Sequence, residues 1–434
     1  MSNEDFQFKA GIIEKYTGKD EVVEIPAEID GVPVTEIGDD SFWNCKLVTE
    51  IKIPDSVKII GYGAFNGCTN LTKINIPKSV TEIKERAFQK CKSLIKIKIF
   101  KPVTEIGYIT FKGCRNLTKI HLPISLKKIG EGAFSYCISL EKINLPYSLT
   151  EIGNSAFEYS SLTEITISDS VTEIGTEAFS YCSNLKNICL PDSLKKIGAG
   201  AFSYCDNLTE IKIPDSVTEI GDNVFWNCTN LREIYLSNSL TEISDFTFCG
   251  CKNLVKIEIP DSVKTIGNSA FFGCFKLTEI KIPEGVTKIG NSAFAGGFFD
   301  REFWSPNNFS WKDLFGNMNV FYIIAKRSFF EIMQLQKIYI PDSVKEIGDN
   351  AFGNCCALTE IHLSNSLEKI GEGAFWGCIN LTEIEIPDSV KEIGYGAFRG
   401  CINLQRVYTN FNFSNEDLQR IFGKNPQFEI LPPK

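Results

Sequence analysis

Two histidines, His121 and His362, are all that the 434 residues contain. Histidine is the usual side chain for proton transfer near neutrality and a common zinc ligand. Ten repeats of the pattern described below separate the two, so they cannot share a site, and each is expected as a solvated surface residue. A basic surplus is also lacking: 45 Lys and Arg stand against 54 Asp and Glu, for a net charge of −9. Phosphate contacts need the opposite balance, which excludes a general nucleic-acid binder. There is no apolar run of about 18 residues, so no ordinary spanning helix and no membrane insertion are expected. The start, MSNEDFQFKAG, has an acidic first stretch and no apolar core, so it does not read as a secretory signal. Taken literally, the sequence describes a soluble, cytoplasmic chain. Gly198-Ala-Gly200 lacks the rest of a phosphate loop, and no serine–histidine pair or isolated carboxylate pair stands out. No catalytic residue, metal or cofactor is expected, and the chain reads as a binding protein.

What is present in quantity is one pattern, repeated. The segment from Leu208 to Asn230, LTEIKIPDSVTEIGDNVFWNCTN, has close copies along almost the whole chain. Phenylalanine marks the register at 42, 65, 88, 111, 134, 157, 179, 202, 225, 248, 271 and 294, in steps of 23 residues with one step of 22 between Phe157 and Phe179. A gap of 35 residues, one repeat plus 12, leads to Phe329, and the 23-step resumes through Phe352, Phe375 and Phe398. Within a repeat, Leu208, Ile211 and Ile213 alternate with Glu210 and Lys212, the period of a half-buried strand. Pro214 ends that strand and Asp215-Ser216 turns the chain. Val217 and Ile220 form a second short extended segment, and Phe225 fills the core from a turn. One repeat cannot bury its own apolar face, whereas stacked repeats bury a continuous one.

The 23-residue length, the L-x-x-I-x-I strand and the IGxxAFxxCxxL continuation resemble the BspA-type leucine-rich repeats, from about Val22 to Tyr408. The resemblance implies a leucine-rich-repeat solenoid, mostly β with some α/β character: a right-handed array of about sixteen 23-residue coils with parallel strands. It also implies a non-catalytic, partner-binding or adhesive protein at the cell surface. The expected organisation is one continuous solenoid domain. An N-terminal cap and opening coil occupy 1–41, regular repeats 42–294, an aromatic-rich insertion 295–318, further repeats 319–409 and a C-terminal cap 410–434. In the last of these, Ser414-Asn-Glu-Asp417 is an N-cap pattern opening a short helix that Gly423 can close.

Thirteen of the sixteen cysteines occupy one column, three residues after the phenylalanine. They fall in runs of five, five and three, which cannot pair fully, and neighbours in such a column point the same way. The expectation is a ladder of small buried hydrophobic thiols, which fits a reducing compartment better than an oxidising one.

Candidate binding residues come from outward columns. Lys73, Lys96, Lys98, Lys119, His121 and Lys142 fall on one face as a basic patch suited to an acidic protein surface or a glycan. Further along, Glu360, Glu383 and Glu385 make the corresponding face acidic. Tyr136, Tyr159, Tyr181 and Tyr204 form a stripe in four consecutive coils, suited to protein or sugar contact. The insertion concentrates aromatics, including Trp304 and Trp311, and long loops in compact arrays are often functional. The expected function is adhesion to, or recognition of, a protein or glycan partner by a monomer. A cytosolic interaction scaffold and a lectin seated in the insertion are the alternatives.

Overall fold

The computed structural model of the protein describes residues 3–296, 333–423 and 427–433. The chain forms two compact units, Met1–Phe225 and Trp226–Lys434. The repeat itself does not announce that division, because each coil of a solenoid touches only its neighbours. Both units are stacks of short parallel strands joined by turns.

Each regular coil contributes two strand positions. In the first unit the shorter ones run from Glu36–Ile37 through Ile59–Ile60 to Glu82–Ile83, and then from Glu105–Ile106 to Glu219–Ile220, all in parallel register. The longer ones pair locally, as in Glu50–Lys52 with Lys73–Asn75 and Lys96–Lys98 with Lys119–His121. The central isoleucine of each of these is buried while its neighbours face outward, as the alternation requires. The turns are laddered as well: the Phe42, Phe65 and Phe111 amides each donate to the alanine carbonyl of the following coil at 2.8 Å. Little buried backbone is left to find another partner.

The phenylalanines form a continuous ring stack within each unit. In the first it runs from Tyr16 to Phe225, with centroids 5.1 to 5.7 Å apart. In the second, described contacts join Phe248 to Phe422. The end rings come from the caps. The N-terminal cap, expected over 1–41, opens with an antiparallel hairpin of Phe6–Lys9 and Ile12–Tyr16. It turns at Ala10 and Gly11, with φ of 49° and 86°, and buries Phe6, Ile13 and Tyr16. The alternation of FQFK and IIEKY around Ala-Gly was a legible hairpin signal. At the other end, the helix Asn415–Phe422 is opened by a Ser414–Asp417 capping box and closed at Gly423, and it supplies Phe422.

One expected coil is absent from the stack. Phe294 stacks directly on Phe352 at 5.3 Å, Lys288–Ile289 pairs with Glu346–Ile347, and Gly296 N donates to Gly353 O at 2.9 Å. Consecutive rungs are therefore 58 residues apart here, so the length beyond one repeat is 35 residues, not 12. Phe329, assigned above to a rung of its own, lies outside the described residues, and no ring fits between Phe294 and Phe352.

Candidate functional site

The longer strands of the first unit carry the basic patch. Glu50–Lys52, Lys73–Asn75, Lys96–Lys98 and Lys119–His121 line a shallow groove of about 640 Å³. Five of the six residues assigned to the patch line it: Lys73, Lys96, Lys98, Lys119 and His121. The sixth does not. Lys142 is bound to Glu164 at 2.6 Å, and this pair holds the Glu164 carboxyl below the usual range. At the opposite side of the groove Lys73 is bound to Glu50 at 2.7 Å, and Lys52 to Glu24 at 3.4 Å. Between these pairs, among the described residues, no carboxylate partners Lys96, Lys98, Lys119 or His121, and all four are exposed. Like charges at strand spacing repel, so the cluster is maintained against a local electrostatic cost.

Phe100 also lines the groove, half-buried, with the Lys98 ammonium 4.7 Å from its ring centroid. It is a departure from the repeat. The corresponding position holds proline at 54, 77, 123, 146, 191 and 214. The outward columns do not find Phe100, because it follows the strand rather than lying on it. The signal was the broken consensus, IKIFKPV where other coils read IKIPDSV.

The second unit treats the same strand face differently. Glu360 receives Lys337 at 2.6 Å and His362 at 2.9 Å, which together hold its carboxyl below the usual range. Glu383 faces Arg406 at 3.5 Å. Of the acidic stretch read from Glu360, Glu383 and Glu385, the first two are thus paired with cations of neighbouring strands, Lys337 and Arg406, and Glu385, among the described residues, is not. His362 is exposed and also hydrogen-bonded to Glu360 at 2.9 Å.

The four stripe tyrosines come together as expected, in a turn of the first unit. Their rings stack at 4.6, 4.3 and 4.3 Å from Tyr136 to Tyr204. Only Tyr136 counts as exposed, at 37%, and the other three are half-buried, so the stripe offers ring edges more than faces. Lys112 lies 5.7 Å from the Tyr136 ring. Burial, followed by the neighbouring Tyr181, pushes the Tyr159 hydroxyl well above its ordinary value. All four have φ between 55° and 60°, in the left-handed region, where other coils use Gly67, Gly113, Asn227 or Gly250. A bulky residue there costs about 1 kcal/mol, comparable with the roughly 0.5–1.5 kcal/mol that an aromatic pair contributes beyond area. The stripe therefore adds little net stability. Trp304 and Trp311 lie outside the described residues.

The cysteine column is more than apolar filling. All sixteen thiols are free, and in most coils the column thiol donates to the phenylalanine carbonyl of the preceding coil. Cys68 reaches Phe42 at 3.1 Å, Cys114 reaches Phe88 at 3.1 Å and Cys378 reaches Phe352 at 3.3 Å. Burial pushes these thiols up, to about 12 at Cys137, Cys182 and Cys401, which keeps them protonated and poorly nucleophilic. Where the 22-residue step removes one loop residue, Ser160 takes the place of cysteine and lies 3.2 Å from the Cys182 sulfur. Among the described residues no group of three or more His, Cys, Asp or Glu could hold a metal ion, and no helix is long and apolar enough to cross a membrane.

Comparison with known proteins agrees with this architecture. The family model described as a BspA type leucine rich repeat region (6 copies) matches at residues 35–160, 104–232, 220–323 and 322–422. A leucine-rich-repeat protein from Bacteroides ovatus is similar with 28% identity and a TM-score of 0.58, over 99% of this chain and 97% of that one. A leucine rich cell surface protein from Faecalibacterium prausnitzii is 34% identical with a TM-score of 0.50, over 67% of this chain and 90% of that one. No curated protein matches. With the repeat model matched from residue 35 to residue 422 and the coils stacked in the register that the repeat demands, this chain belongs to the BspA-type leucine-rich repeat family.

Proposed function

We propose that the protein is a non-catalytic recognition module that adheres to an anionic partner, protein or glycan, through the outward strand face around Lys96, Lys98 and Lys119. One observation carries this reading: those ammoniums and His121 lie together with no carboxylate partner among the described residues, whereas Lys142, Lys337 and Arg406 on the same face are each held in an ion pair. A cluster left uncompensated in an acidic protein raises the local concentration of an anionic ligand. The relative from Faecalibacterium prausnitzii is described as a cell surface protein, which supports an adhesive role.

Protease shaving of intact source cells, with a cytosolic protein as control, tests the location. Release of peptides of this chain without lysis is expected. Full protection would overturn adhesion in favour of a cytosolic scaffold, the reading that the sixteen free thiols favour. Capture of host matrix or cell material by the purified chain should fall at least tenfold in the K96E/K98E/K119E variant.

A further inference from the structure

We infer that the groove formed by Glu50–Lys52, Lys73–Asn75, Lys96–Lys98 and Lys119–His121 takes a sulfated glycan chain. The inference rests on the proposed function and deepens it by naming the ligand class.

Charge alone would admit any anion, so the choice turns on which cations line the groove and what lies between them. All the strongly basic residues are lysines: 52, 73, 96, 98 and 119. No arginine lines it, so recognition does not rest on the planar fork that grips a carboxylate or phosphate with two parallel hydrogen bonds. An ammonium is a compact point charge with three freely rotating donors. It suits a tetrahedral oxyanion ester, which presents acceptor oxygens in several directions and demands no single plane. Lys96, Lys98 and Lys119, the lysines left without carboxylate partners, occupy two adjacent strands. They are paired in register as Lys96 with Lys119 and Lys98 with His121. Successive strands are spaced about 4.8 Å apart, so the cations form a small lattice over which a chain bearing several sulfates can settle in more than one register.

Two features favour a glycan over an acidic peptide. The floor includes Phe100, an aromatic surface where other coils place proline, and such a ring can pack against the apolar C–H face of a sugar. The two strand pairs are not bonded to each other, but the coils that carry them stay stacked, with Ile95 N donating to Thr72 O, so an added peptide strand finds no room between them. A neutral sugar is disfavoured as well. The Asn75 side chain is bonded to the Ile53 amide and carbonyl, and Glu50 is bonded to Lys73, which leaves few acceptors for hydroxyl groups.

The test is titration calorimetry of the full chain with a size-defined heparin hexasaccharide, at about 50 and 150 mM salt, where surface charges are progressively screened. Saturable binding that weakens with salt is expected. It should weaken at least tenfold in K96A/K98A/K119A and severalfold in Phe100→Leu, and be unchanged in Lys337→Ala, which removes a lysine that already has a partner. Unchanged thermal unfolding of each variant will show that the fold is intact. Hyaluronan, which carries carboxylates without sulfates, and a poly-glutamate peptide serve as counter-probes. Equal binding of either would overturn the sulfated class. No binding of heparin would overturn the inference outright, and so would binding that the triple variant retains. If heparin fails to bind while K96E/K98E/K119E still abolishes capture of host material, the ligand class falls and the proposed function stands.

Discussion

The ring column from Tyr16 to Phe225 and the outward strand column from Lys52 to Lys212 belong to the same coils, yet they vary in opposite ways. Inward, one phenylalanine recurs with its ring stacked 5.2 to 5.7 Å from the next over most of the column. Tyrosine replaces it only at the cap. Outward, the residues run Lys52, Asn75, Lys98, His121, Asn144, Thr166, Cys189 and Lys212. A close-packed interior allows few substitutions because each ring touches the coil above and the coil below. The outer face carries no such constraint, and what accumulates there is free to answer to a ligand. In the second unit part of the outer face is paired, as in Lys337–Glu360 and Arg406–Glu383, whereas around Lys96 several cations stand together without carboxylate partners among the described residues.

If the inner column carries stability and the outer column carries binding, the two should separate by experiment. The largest effect is expected from pH. The column thiols are held protonated in the fold, with Cys137, Cys182 and Cys401 pushed up to about 12 from an ordinary value of 9.0. Below 9 neither the folded nor the unfolded chain ionises them, and stability is intact. Between 9 and 12 the unfolded chain loses protons that the folded chain keeps, so each such thiol destabilises by about 1.4 kcal/mol per pH unit. A steep fall in the urea midpoint across that window is expected. A flat profile would refute the assignment of the thiols to a sealed column.

Next comes Phe111→Ala. Its ring is fully buried between Phe88 and Phe134, and its loss should cost about 3–5 kcal/mol in denaturant unfolding. At a temperature where the variant stays folded, capture through the lysine face should be close to normal. A matched loss of binding would break the separation of inner from outer columns. The smallest effect belongs to Tyr159→Asn, which removes a stacked ring but relieves a side chain held at φ 55°. The two contributions nearly offset, so a change under about 1 kcal/mol is expected. A larger loss would make the stripe a structural element.

Most of the architecture was legible because every coil repeats the same statement. Leu, Ile and Phe at fixed offsets declare both strand period and stacking, and an error in one coil is corrected by its neighbours. The misses fall where that redundancy stops. The hairpin at Phe6–Tyr16 occurs once, so only its own short alternation could reveal it. The coil assigned to Phe329 came from extending the register by arithmetic, and arithmetic does not know that Phe294 and Phe352 meet directly. At the candidate site, column position found Lys96, Lys98 and Lys119. It could not foresee that Glu164 would claim Lys142, since that depends on where two long side chains reach. The thiol donors were missed for a related reason: a cysteine three residues after phenylalanine reads as a small apolar residue until the carbonyl of the preceding coil is seen beside it.

The seam at Gly296 and Gly353 has an evolutionary consequence. There the stack closes over 35 residues beyond one repeat, with the strand register, the ring contact and the amide-to-carbonyl bond all continuing as in any other coil. The two rungs therefore meet as consecutive rungs do, although the sequence between them is 35 residues longer than one repeat. Sequence between these two rungs can be lengthened, exchanged or recombined without renegotiating the coils on either side, which makes the seam a natural port for acquiring new parts.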